Sequence, residues 1–134
     1  MLTVPEHVRV FIAHDPVDFR KSCDGLAAVV SGVLEQDAMS GHVFVFFNRH
    51  RNRIKVLVWE RNGYWLHYKR LERGTFECLQ RKSAGAPHVE CTAHELHLLL
   101  RGVDMQKLKY RRHFAVPLRI GNSGDERGKQ QATD

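Results

Sequence analysis

Val8, Val10 and Ile12 alternate with Arg9 and Phe11, a period-two pattern that predicts a first strand, ended by His14-Asp15-Pro16. Leu26, Val29, Val30, Val33 and Leu34 then recur at helical spacing, which predicts a helix over 18–36 with Asp18 as its cap. Gly25 and Gly32 weaken that helix by about 1 kcal/mol each relative to Ala unless they permit close packing. Val43 to Phe47 is β-branched and aromatic throughout, the composition of a strand covered on both faces. Arg49 to Asn52 turns the chain into a partner strand, Arg53 to Glu60. Asn62-Gly63 favours a two-residue type I′ turn into a third antiparallel strand from Tyr64, and Thr75 to Leu79 is predicted as another.

Gln80 to His88 holds Ser83, Gly85 and Pro87 and reads as a loop. Thr92-Ala93-His94-Glu95 has the form of a capping box, flanked by Cys91 and Leu96. Leu96, Leu99, Leu100 and Val103 give the inward stripe of a second helix over 92–103, with Gly102 near its end. These elements predict an α+β fold: an antiparallel sheet of four to five strands with two packed helices. The 18–36 helix is expected across one face and the 92–103 helix at the edge. Residues 1–104 form the expected single domain, followed by a basic arm at 105–119 and a tail at 120–134 whose composition is that of a disordered segment.

The chain has 134 residues, enough for one modest core. No apolar run is long enough for a membrane span, and the N-terminal residues lack a secretory pattern. Three scattered cysteines argue against a disulfide framework, so a cytoplasmic location is expected. The net charge of +6 is unevenly spread: residues 1–48 carry −3, 49–82 carry +7, 83–104 carry −2, 105–119 carry +5 and 120–134 carry −1. Segregation of this kind favours an interaction face over general solubility.

The basic blocks hold the candidate chemistry. Arg49, Arg51, Arg53 and Lys55 surround the first turn, and Lys69, Arg70 and Arg73 follow the returning strand. Antiparallel pairing would bring the two clusters to one sheet edge, where they could position phosphates and, as exposed residues, contribute little to stability. Tyr64, Trp65 and Tyr68 could stack on bases, but alternation separates Tyr64, Leu66 and Tyr68 from Trp65, His67 and Lys69, and one of those faces must be core. Lys107, Lys109, Arg111 and Arg112 form a second basic patch that could order on binding.

Catalytic and metal readings are weaker. Cys91, His94 and His97 have an uncommon spacing for zinc, and the two histidines lie opposite the leucine stripe. Cys23 and Cys78 read as core fillers. Asp15, Asp18, Asp24, Glu35 and Asp37 invite a two-metal nuclease, but turns, a helix cap and an ion pair with Arg20 or Lys21 account for the aspartates. No enzyme, cofactor or metal is predicted.

Several segments carry a resemblance: Asp18-Phe19-Arg20-Lys21, Asp24-Gly25-Leu26, Asp37 to Phe46, Ile54 to Trp59 and Lys69 to Phe76. In this order and spacing, from about Val8 to about Asp104, the chain resembles the small accessory protein TnpB, encoded by the second open reading frame of the IS-sixty-six family of bacterial insertion sequences. It departs from that family's usual pattern at Ser22-Cys23, Ala38-Met39 and Cys78-Leu79. The resemblance implies a non-catalytic role in DNA transposition, with the catalytic acids in a separate transposase chain. DNA and the transposase of the same element are the expected partners. Contact with DNA through the basic hairpin is one expectation; the alternative is a protein–protein adaptor that docks on the transposase without binding DNA.

Overall fold

A computed structural model describes residues 3–77 and 84–102. Within the compact unit that ends at Arg101 lie β1 (Val10–Ala13), α1 (Cys23–Gly32), β2 (Val43–Phe47), β3 (Arg53–Glu60), β4 (Gly63–Arg70), β5 (His88–Cys91) and α2 (Ala93–Leu100). The arm at 105–119, the tail at 120–134 and the segment 78–83 with Cys78 lie outside the described residues.

The strands form one sheet in the order β4-β3-β2-β1-β5. All pairs are antiparallel except β1 with β2, which run parallel with Val10 opposite Val43. The sheet is therefore mixed and mostly antiparallel, within the expected α+β class. Alternation alone does not encode strand direction. The chain from β1 to β2 passes through α1, and such a crossover returns it in the same direction.

All five β2 residues are buried, as their unbroken apolar run predicts. Phe44 and Phe46 join Phe11, Ala13 and Leu57 on one face, packed against Leu26, Val30 and Leu34. Val43, Val45 and Phe47 join Val10, Ile12, Ile54 and Val56 on the other, packed against Ala93, Leu96 and Leu99 of α2. Each of these large side chains contributes roughly 1.5–3 kcal/mol on burial. The second helix thus packs on a face of the sheet and does not sit at its edge, because Leu96 and Leu99 need an apolar surface and β1 and β2 alternate to provide one.

Both helices are shorter than predicted. α1 begins at Cys23 with Ser22 in the N-cap position and no side-chain cap bond. Asp18 instead closes a tight turn, accepting from the Arg20 backbone N–H at 2.9 Å and its guanidinium at 2.6 Å. After Gly32 the backbone leaves the helix, with Glu35 at φ 56°, while Leu34 and Ala38 stay in the core. Gly25 permits a close approach: a Cβ there would lie 3.0 Å from that of Lys21. α2 carries the full capping box, with Thr92 accepting from the Glu95 N–H at 3.0 Å and Glu95 accepting from the Thr92 N–H at 2.9 Å.

Two further expectations are corrected. The β3–β4 turn has positive φ at Arg61, and the strands close on Glu60 opposite Gly63, one residue earlier than a turn at Asn62-Gly63 requires. Either register keeps Leu57 and Leu66 on the same face, so hydrophobic alternation does not distinguish them. Residues 75–77 are not a strand; Phe76 packs its ring 5.6 Å from that of Phe47. The fifth strand is β5, antiparallel to β1, and its first residue is the end of the predicted loop.

Replacing Leu57, fully buried beneath α1, with Ala should cost about 2–5 kcal/mol in urea unfolding. Val33→Ala, at a position 52% exposed, should stay within about 0.5 kcal/mol.

Candidate nucleic-acid interface

The turn that carries the first basic cluster is held by Asn48. Its side-chain oxygen accepts from the backbone N–H groups of Asn52 at 3.1 Å and Arg53 at 3.0 Å, and its amide donates to Asn52 at 2.7 Å. An Asn that bonds backbone groups a few residues on is a local turn signal, one that sequence reasoning passed over. Arg51 takes the left-handed conformation at φ 57°. Its carbonyl accepts from the Phe76 N–H at 2.7 Å, and the Asn52 carbonyl accepts from the Leu71 N–H at 2.8 Å. The turn is therefore fixed to the chain that leaves β4.

The basic residues divide by what their charged groups do. Arg51 is half-buried: its guanidinium lies 4.1 Å from the Phe47 ring centroid and donates to the Glu77 carbonyl at 2.9 Å. Lys55 donates to the carbonyls of Phe19 at 2.9 Å and Lys21 at 2.8 Å, fastening the segment that leads into α1. Lys69 points to the other face and donates to the Leu100 carbonyl at 2.8 Å. A cation at the C-terminal carbonyls of α2 also complements the helix dipole.

Three of the other four cations, Arg49, Arg70 and Arg73, stay nearer solvent. Arg49 and Arg73 are exposed, and Arg70, also exposed, makes a 3.1 Å ion pair with Glu72. Arg53 is half-buried and stands directly opposite Arg70 in the β3–β4 ladder. Like charges directly opposite on one face destabilise a strand pair. Tyr68 lies two residues from Arg70 on that face, 54% exposed, its ring set edge-on 6.2 Å from Phe19. Trp65 is 58% exposed on the opposite face, with its indole N–H donating to Glu60 at 2.6 Å. The prediction that turn arginines are merely exposed thus needs correction for Arg51 and Arg53. Lys107, Lys109, Arg111 and Arg112 lie outside the described residues.

The acidic side chains are dispersed. Asp15 contacts His14 at 3.0 Å, Asp37 accepts from the Met39 N–H at 2.9 Å, and Asp18 is bound by Arg20. Hydrogen bonds from Arg20 hold the exposed Asp18 carboxyl down at about 2. Its stabilising effect is present above the unfolded carboxyl value near 3.9 and fades as pH falls through about 2. Cys91 is buried in the core, and that burial pushes its thiol up to about 12, whereas His94 is exposed. Among the described residues no three His, Cys, Asp or Glu side chains group as a metal site.

This sheet, with its two cores and basic margin, lies within the span of a family model described as IS66 Orf2 like protein, which matches residues 8–110. The chain belongs to the IS66 Orf2-like family. It is thereby an accessory protein of IS66 elements. Two proteins of Sinorhizobium fredii, y4jC and y4hO, are each 35% identical to it, over 102 and 104 residues. Those matches take in 76% and 78% of this chain, and 85% and 88% of the respective relatives. No solved structure matches the chain. Ser22 is the helix N-cap residue, Ala38 is buried and Met39 is 55% exposed. No helix among the described residues is long and apolar enough to cross a membrane.

The division of the cations has a direct check in thermal and urea unfolding. Lys55→Met should destabilise the protein by about 1–3 kcal/mol, because it removes the donor shared by two carbonyls. Arg49→Ala, at an exposed turn position, should fall within about 0.5 kcal/mol.

Proposed function

We propose that this accessory protein is non-catalytic and contacts DNA through Arg49, Arg53, Arg70 and Arg73, with Tyr68 beside them as a stacking surface. The observation that carries this reading is the direct opposition of Arg53 and Arg70 across β3 and β4. Two like charges in register cost stability in the isolated protein, and a polyanion lying across them converts that cost into binding. Arg51, Lys55 and Lys69 act differently: they hold the turn, the segment entering α1 and the end of α2 in place. The contacts are with phosphates, so they fix position on a duplex and carry no sequence preference. The transposase of the same element is the protein partner, and the catalytic acids belong to that chain.

Four phosphate contacts predict a fall in affinity of about 10²-fold between 50 and 200 mM salt. Fluorescence anisotropy with labelled duplexes of unrelated sequence measures this. The Arg49→Ala, Arg70→Ala, Arg73→Ala triple variant should weaken binding similarly on every duplex and reduce the salt slope by about one per lost contact. Absence of DNA binding by the wild type, with nuclease-resistant capture of the transposase from cells carrying the element, would favour the adaptor role and end this reading.

DNA incubated with the protein and Mg²⁺ or Mn²⁺ should stay intact, since the carboxylates of Asp15, Asp18 and Asp37 serve separate local contacts. Nicking of element ends that Asp24→Ala abolishes would contradict this.

A further inference from the structure

β4 is an edge strand of eight residues, paired with β3 residue for residue from Arg53–Arg70 to Glu60–Gly63. Among the described residues its other side has no ladder partner. Proteins protect such edges with short strands, charges, prolines or bulges, because an open row of backbone groups invites another strand. The opposite edge follows that rule: β5 has four residues, and Glu90 on it binds Arg9 at 2.7 Å. On β4, the stretch Gly63 to Tyr68 contains no Asp, Glu, Lys, Arg or Pro and no interruption of register. Its two most exposed side chains are Trp65 and Tyr68, at 58% and 54%, one on each face.

The order of residues along β4 indicates what fits this edge. Two copies of one strand that meet antiparallel are related by a two-fold axis perpendicular to the sheet, so opposing residues share a face. With the axis at His67, Trp65 of each copy meets Lys69 of the other, Tyr64 meets Arg70, and Leu66 meets Tyr68. Every cation then faces an aromatic ring, and no cation faces another. Cross-strand pairs of this type are favourable, and the rings cover the stems of the long basic side chains. Lys69 keeps its bond to the Leu100 carbonyl, since Trp65 needs only its methylene stem. A strand rich in acidic residues fits less well, because Lys69 and Arg70 stand together at one end of β4 and leave the rest without a charged partner.

We propose that the edge of β4 left unpaired among the described residues is a self-association surface on which a second copy of this chain pairs antiparallel about His67, joining the two sheets. This pairing shares Arg70 and Tyr68 with the DNA contacts proposed above, whereas Trp65 belongs to the face opposite Arg53 and Arg70, so substitutions at Trp65 test self-association separately from DNA binding.

Sedimentation equilibrium of the full chain over about 10–200 μM tests it. The wild type should approach twice the 15.5 kDa chain mass as concentration rises. Trp65→Lys places a cation opposite Lys69 and should weaken association at least about tenfold, whereas Trp65→Glu places an anion there and should stay within about threefold of wild type. Circular dichroism establishes that both variants fold. A wild type that remains a monomer throughout, or equal responses of the Lys and Glu variants, would overturn the proposal.

Discussion

β2 is buried on both faces, and every other element is arranged around that fact. A strand reading Val-Phe-Val-Phe-Phe has no side that tolerates water, so the sheet must be covered twice. α1 meets the phenylalanines at 44 and 46, and α2 meets Val43, Val45 and Phe47. Each helix is short, and neither would persist without that surface beneath it. With both faces of the centre occupied, charged residues are confined to the sheet's margins, and most of the positive charge between residues 49 and 82 falls on or beside the β3–β4 ribbon.

That ribbon uses its cations in two ways. Lys55 and Lys69 sit on adjacent strands and point to opposite faces, and each gives its ammonium group to backbone carbonyls. One binds the segment entering α1 and the other the end of α2, so the hairpin is tied to both helices. Arg51 closes the turn below them through the Phe47 ring and the Glu77 carbonyl. Arg53 and Arg70, in contrast, are ladder partners of like charge, and Arg70 turns to Glu72 for its ion pair. The position of that pair on an ordered ribbon is the basis of the DNA contact proposed above.

Much of the architecture is legible from the residues alone. The β2 run, the β3 and β4 strands and the Thr92 capping box follow from composition and spacing. The parallel pairing of β1 with β2 does not, since direction depends on the crossover and alternation is blind to it. The turn register also escapes, because a slip that keeps Leu57 and Leu66 on one face leaves the pattern unchanged. At the basic surface, sequence identifies which residues are cationic but not which have carbonyl partners far along the chain. Lys55 binds residues 34 and 36 positions away, and Lys69 binds one 31 away. Such partners exist only once the helices have packed.

We propose that the opposition of Arg53 and Arg70 serves a polyanion. Arg70→Gln tests it most directly, through urea unfolding of the free protein measured beside its affinity for duplex DNA at low salt. The variant should be at least as stable as the wild type, by up to about 1 kcal/mol, while DNA binding weakens. A variant that loses stability yet binds DNA with unchanged affinity would contradict it.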